Sequence, residues 1–572
     1  MADHDLVIRN GVVIDGSGSE PFAGDIAIDG ERISMVGTVP GRGAEEINAA
    51  GLTVVPGFVD VHTHYDGQVT WDNRALPSAA HGVTTVVMGN CGVGFAPCRP
   101  SDRRALIELM EGVEDIPDLV MTAGIPWNWE TFPQYLDALD ARSFDVDVAA
   151  QLPHSCLRVY VMGQRGIDRD TATDAELAEM TRLTEEAMRA GAIGFATSRS
   201  IFHRDRNGKP IPSKEVVEPE LQAIAAGMKA AGHGVIEALI DYDDIDDEFG
   251  LLRRLVESSG RPLSFTVSQL IDSPDGWRNA LRLIGKANDD GLPIRGQVIG
   301  RPTGILLGLN LSFHPFSFHP SYQEIAHLPL PERVAAMRTP EIRNRILTPS
   351  SQVSRYKILE YLESFDGIYD LGTPPDYAPR PENSMAAIAH ATDREPREVT
   401  YDALLTHDGN AILFLPIGNY ADGDLDAVSE MLHHPNTILG LGDGGAHYGV
   451  ICDAGWPTFM LTRWVGLQED GRFSLAELIR RMTAQPAEAV GLADRGLLKP
   501  GYKADINILH YKRMHLHPPH VVFDLPAGGR RLLQAADGYA ATIVSGQITY
   551  RNAEPTGALP GRLVRGPQNA VR

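Results

Sequence analysis

From Gly82 to Gly300, short apolar runs rich in β-branched residues alternate with longer stretches of helical composition, and no other feature limits the fold as much. "GVTTVVMG" precedes "DRRALIELMEGV", "DVDVAAQL" precedes "DAELAEMTRLTEEAMRAG", and "AIGFAT" precedes "EPELQAIAAGMKAAG". "HGVIEAL" then leads to "DDEFGLLRRLVESSG", "PLSFTVSQL" to "DGWRNALRLIGKANDDG", and "PIRGQVIG" ends the series. Strands that alternate with helices of this length predict parallel βα units. The arrangement that fits is a (β/α)8 barrel of the TIM type, enlarged by insertions beyond the usual ~250 residues.

The two ends of the chain read differently. "DLVIRNG", "VVIDGSG" and "DIAIDGERISMVG" place Asn-Gly and Asp-Gly steps between β-branched runs, which signals hairpins. "GLLKPGYKADINIL" and "YAATIVSGQITYRN" near the other end are of the same kind. With 572 residues the chain exceeds what one hydrophobic core encloses, so a second domain is expected. The expected fold class is therefore α/β: a barrel over 58–484 and a small β-sandwich domain built from 1–57 and 485–572. Residues 302–380, with "SFHPFSFHPSYQEIAHLPLPERV", break the barrel rhythm and read as an insertion, either covering the mouth or buttressing the barrel.

Charge narrows the partners. The 75 acidic against 51 basic residues give a formal charge of −24, which repels nucleic acid and anionic membrane surfaces. No apolar run approaches the ~20 residues of a membrane span. A small-molecule substrate is expected, with homo-oligomer formation left open. The opening "MADHDLVIRNGVVIDG" lacks the pattern of a secretion signal, and four cysteines are too few for a disulfide framework, so a cytoplasmic setting is expected.

The chemistry concentrates in "VVPGFVDVHTHYDG". On a strand, residues i and i+2 face the same way, so His62 and His64 point together, at the carboxyl end where barrel enzymes carry their sites. Two imidazoles on one strand suit zinc. This stretch resembles the first barrel strand of the amidohydrolase superfamily. "HGVTTVVMGNCGVG", "GAIGFATS", "LGLGDGGAHYG" and "GLLKPGYKADINIL" are similar, in order, to its N-acyl-D-amino-acid deacylase branch. The resemblance spans Val7 to about Tyr550. It implies that His62 and His64 bind the catalytic metal, that Cys91 takes the metal-bridging role, and that Asp443 binds metal and moves the proton. A thiolate is a strong zinc ligand, which agrees. His447 is a candidate contact to metal or substrate, or a hydrogen-bonding structural residue.

The pattern departs from that family later in the chain. The family's two further histidines, at the ends of the fifth and sixth strands, have no counterpart in "HGVIEALID" and "RPLSFTVSQL". Glu237 stands at the first position, and Ser268 or Gln269 near the second. Zinc is expected as one ion, or as two if Glu237 rebuilds the second position. His154 in "AAQLPHSCLR" faces the correct end and is a candidate for substrate contact or loop anchoring; His233 precedes its strand and faces the wrong end. The basic residues with which the deacylases hold a substrate carboxylate are not found at the expected places, leaving Arg463 and Arg295 as substitutes. The reaction implied is hydrolysis of an N-acyl amino acid, most naturally of the D series, or a related amide. A lactone, carbamate or cyclic imide is the alternative substrate, and a metal-poor barrel used for binding is the alternative outside enzymes.

Overall fold

The structure is a computed structural model and describes residues 2–349, 361, 362, 364–465 and 473–571. Eight parallel strands form one sheet in chain order: Phe58–Asp60, Val83–Met88, Asp147–Pro153, Gly194–Ser198, Val235–Leu239, Leu263–Thr266, Ile294–Val298 and Thr437–Leu439. Most are buried along their whole length, as strands covered on both faces must be. The first and eighth strands meet at the carboxyl end. There Asp443 N donates to His62 O (3.0 Å) and His64 N donates to Gly444 O (2.8 Å), so the seam of the barrel closes through the segments that bear His62, His64 and Asp443.

The outer helices follow from local sequence. Asp174–Ala190 starts on a capping box, in which Thr173 and Glu176 satisfy each other's backbone N–H, and ends at Gly191 with φ of 116°. Its buried residues Met180, Leu183, Ala187 and Met188 recur at helical spacing and join the main buried core of the barrel. No helix among the described residues is long and apolar enough to cross a membrane.

Between the seventh and eighth strands the chain builds an excursion with its own core. Thr303–Leu307, Leu413–Gly418 and Tyr369–Asp370 make a three-stranded antiparallel sheet. Leu307, Phe316, Met337, Ile346, Tyr401, Leu413 and Leu415 pack together beneath it. The insertion expected over 302–380 therefore extends further, because its middle strand is drawn from beyond residue 410. Residues 350–360 and 363 of that segment lie outside the described residues.

Both chain ends enter one nine-stranded sheet. Thr53–Pro56 pairs in parallel with His4–Val13 and antiparallel with Ile506–Leu509, which continues into Tyr539–Val544 and Gln547–Arg551. Leu6, Ile8, Ile26, Ile28, Ile506 and Ile543 form its buried apolar face. The final segment returns to the amino end of the barrel, where Phe144 N donates to Gly561 O (2.9 Å) and Val564 N to Val148 O (2.8 Å). At this floor Asp147 accepts from Arg495 Nη1 (2.7 Å), from Lys503 Nζ and from the Arg562 backbone N–H (3.0 Å). Those cations hold its carboxyl down at about 2, against the opposing cost of burial.

Candidate metal centre at the barrel mouth

His62 and His64 leave the first strand side by side, each 1% exposed, with ring centroids 5.4 Å apart. Burial lowers their pKa values to about 4 and about 3, which keeps both imidazoles neutral, the form that ligates metals. Cys91 follows the second strand in the "GNCG" turn, whose tightness places a non-glycine residue at φ of 56°. A Cβ on Gly92 would sit 2.9 Å from the Thr197 backbone, so glycine lets this turn press onto the fourth strand. Asp443 and His447 follow the eighth strand and also lie in the left-handed region, at φ of 47° and 54°. Leu441 of the same cavity, at φ of 62°, is a fourth, and left-handed backbone at four side-chain-bearing residues facing one cavity is strain of the kind found at functional sites.

These residues converge. Cys91 Sγ lies 3.4 Å from His62 Nε2, and Asp443 Oδ1 lies 3.6 Å from Nε2 of both His62 and His64. Among the described residues, the potential ligand atoms of His62, His64 and Cys91 fall within 4.8 Å of one another. His62 Nδ1–H donates to Gln297 Oε1 (2.8 Å), and Gln297 Nε2 in turn donates to Ser264 Oγ (2.8 Å). That chain fixes the tautomer with the Nε2 lone pair facing Cys91 and Asp443.

Glu237, on the fifth strand, accepts from Cys91 N through Oε2 (3.0 Å), while its Oε1 lies 3.8 Å from His62 Nδ1 and has no hydrogen-bond partner. Burial raises its pKa to about 8. Burial likewise pushes the Cys91 thiol well up, reinforced by Glu237, Glu114 and Asp443. Such a set of buried acids and a thiol with unsatisfied oxygens fits a cation, whose charge reverses each of these costs. Oxygen, nitrogen and sulfur donors together favour a borderline ion such as zinc over calcium or magnesium.

The cavity above the centre has a volume of about 320 Å³. Phe202, Leu239, Leu270, Ile417 and Leu441 line it together with His62, His64, Cys91, Glu114, His203, Ser268, Asp443 and His447. Other expected residues lie elsewhere. His154 begins helix His154–Met162, and both ring nitrogens are engaged, by Thr197 Oγ1 (2.8 Å) and Glu220 Oε1 (3.1 Å). It anchors the barrel wall and does not line the cavity, because the third strand turns into its helix at Pro153. Gln269 is turned toward the excursion, donating to Asp422 and accepting from Ala421 N, so only Ser268 of that pair lines the cavity. Arg463 is exposed at the end of helix Trp456–Arg463, and Arg295 lies early in the seventh strand; neither lines the cavity. Glu114, Gln297 and His203 were missed by sequence reasoning. Glu114 ends an ordinary amphipathic helix, and nothing local to it signals a buried carboxylate.

The family model described as "Amidohydrolase family" matches residues 45–550. An N-acyl-D-aspartate deacylase from Alcaligenes xylosoxydans xylosoxydans is 27% identical over 581 residues, covering 100% of this chain and 96% of that protein. An N-acyl-D-glutamate deacylase of the same organism is 25% identical over 570 residues, covering 98% and 96%. Among solved structures, a D-aminoacylase superposes with a TM-score of 0.65 at 21% identity, covering 98% of this chain and 100% of that one. The N-acyl-D-glutamate deacylase from Bordetella bronchiseptica, complexed with zinc and a phosphonate inhibitor, gives 0.62 at 21% identity over 98% and 99%. At that level of identity these structures establish the shared fold.

Proposed function

This chain belongs to the amidohydrolase family, and from that membership we propose that it is a zinc-dependent enzyme that hydrolyses the amide bond of an N-acyl amino acid of the D series, or a closely related amide. The observation that carries the proposal is the convergence of His62, His64, Cys91 and Asp443 on one point beneath an apolar cavity. The full-length relatives named for N-acyl-D-aspartate and N-acyl-D-glutamate support the substrate class.

His62, His64, Cys91 and Asp443 would hold the ion, with Glu237 available if a second is bound. Zinc, when bound there, would supply Lewis-acid polarisation of the scissile carbonyl and of the attacking water. The rest of the chemistry belongs to the protein. Asp443 has 18% of its side chain exposed, whereas His62 and His64 are closed off, so it is the carboxylate that faces the cavity. It takes the proton of the attacking water and returns it to the leaving nitrogen, which must be protonated because an amide anion leaves poorly. Gln297 keeps His62 in its ligating tautomer, and Glu237 fixes the Cys91 backbone. Leu239, Leu270, Ile417 and Leu441 exclude water around the acyl group or the side chain of the substrate.

The test joins metal analysis to a substrate panel. Purified protein is expected to carry zinc, or to take it up, and to release amine from N-acetyl-D-amino acids while leaving the L series intact. Protein that holds no metal when zinc is supplied, or a metal-loaded protein that cleaves no amide in the panel, refutes the assignment.

A further inference from the structure

We propose that Glu114 is a positioning residue that orients two histidines at once, His64 of the metal centre and His447 of the cavity wall. Glu114 is the last residue of helix Arg103–Glu114 and is 1% exposed. Its Oε1 lies 3.4 Å from His64 Nδ1, two buried atoms that face each other without a formed hydrogen bond and have no other partner among the described residues, and its Oε2 lies 3.5 Å from His447 Nε2. A buried carboxylate at a helix C-terminus opposes the helix dipole and carries a desolvation cost, so packing alone gives no reason for it.

The helix end is fastened where these contacts require. His447 N donates to the Glu114 backbone carbonyl. The next residue, Asp115, accepts from Gly449 N (2.9 Å) and from Ser312 Oγ (3.1 Å). The loop bearing both Asp443 and His447 is thereby tied to the helix bearing Glu114.

His62 and His64 form a matched pair in this respect. Each turns Nε2 toward Asp443 and Nδ1 away, His62 toward the neutral Gln297 and His64 toward Glu114. A carboxylate accepts through both oxygens and can serve two N–H donors. A glutamine of the same shape accepts through one end only, so it cannot hold His64 and His447 in the same tautomers. Glu114 therefore sets His64 as a ligand through Nε2 and holds His447 with its proton on Nε2. This inference rests on the metal-centre reading above.

Wild type and Glu114→Gln, stripped of metal, are titrated with zinc against a chelator of known affinity, and the thermal midpoint of each metal-free form is measured alongside. The variant is expected to bind zinc roughly 10–100-fold more weakly with an unchanged metal-free midpoint. Affinity within twofold of wild type overturns the inference. Should Glu114→Gln fail to fold, imidazole ¹⁵N spectra of zinc-loaded wild type decide, with His447 assigned by its loss in His447→Asn. A proton on His447 Nε2 and on His64 Nδ1 supports the proposal, and the opposite tautomer on either overturns it. Wild type that binds no zinc removes the metal-centre reading and this inference together, whereas wild type that binds zinc with no loss in the variant removes this inference alone.

Discussion

The two ends of the barrel bury charge in opposite ways. At the floor, Asp147 is surrounded by Arg495, Lys503 and the Arg562 N–H, so its charge is neutralised within the chain. At the mouth, Glu114, Glu237 and Cys91 are as deeply buried, yet their neighbours are histidines and other acids, and Oε1 of each glutamate has no hydrogen-bond partner. At the floor the Asp147 carboxylate is paired with cations and ties the third strand to the small β domain. The mouth is an anionic cage that a cation would complete. In a barrel of this kind the amino end serves stability and the carboxyl end serves chemistry, and the pairing of charges separates the two.

That contrast is sharpest in its largest expected effect. Asp443→Asn should lower kcat by about 10³-fold or more with little change in the unfolding free energy of the metal-free protein, which steady-state kinetics and urea denaturation with chelator check together. Asp147→Asn should do the reverse. It takes from the buried Arg495 and from Lys503 the carboxylate they share, leaving Arg495 paired with Asp494 alone, so unfolding free energy should fall by about 3 kcal/mol while the folded fraction keeps its kcat. A loss of kcat in the folded Asp147→Asn enzyme would break the division between the two ends.

Metal removal should come next. Chelation is expected to abolish turnover and to lower the thermal midpoint, because an ion present at about 100 times its Kd stabilises by about 2.7 kcal/mol. The same treatment of His62→Ala should leave the midpoint unmoved. Acid separates the ends more gently. The folded pKa of Asp147, about 2, lies below that of an unfolded aspartate near 4. Its contribution, on the order of 2 kcal/mol, is therefore complete above about pH 5 and is lost as pH falls from about 4 toward 2. Denaturation curves in Asp147→Asn should lack this component. The smallest effect belongs to Arg463→Ala, expected to leave KM within about twofold because that side chain lies outside the cavity.

The parts of this protein that the sequence determined are those whose cause is local. Strand and helix alternation in the barrel, the capping box at Thr173 and the shared orientation of His62 and His64 depend on residues a few positions apart. Likeness to a family, carried by short motifs in order, added Cys91 and Asp443. What stays hidden until the chain is folded depends on residues brought together from far along it. "LIELMEGVED" reads as an amphipathic helix with acids for solvent, but Asp115 and Gly449, 334 positions apart, pull its end into the mouth and bury Glu114. "QLPHSC" leaves His154 open between substrate contact and loop anchoring, and the contacts of both its nitrogens, to Thr197 and Glu220 in the wall, come from elements far along the chain. The eighth strand was legible as apolar, yet its place beside the first follows only once the excursion from Thr303 to Gly418 packs as a unit of its own. Periodicity fixes which face of an element is buried; the contact that decides what a buried polar group does there belongs to the partner element, and its position is set by the packing of the whole.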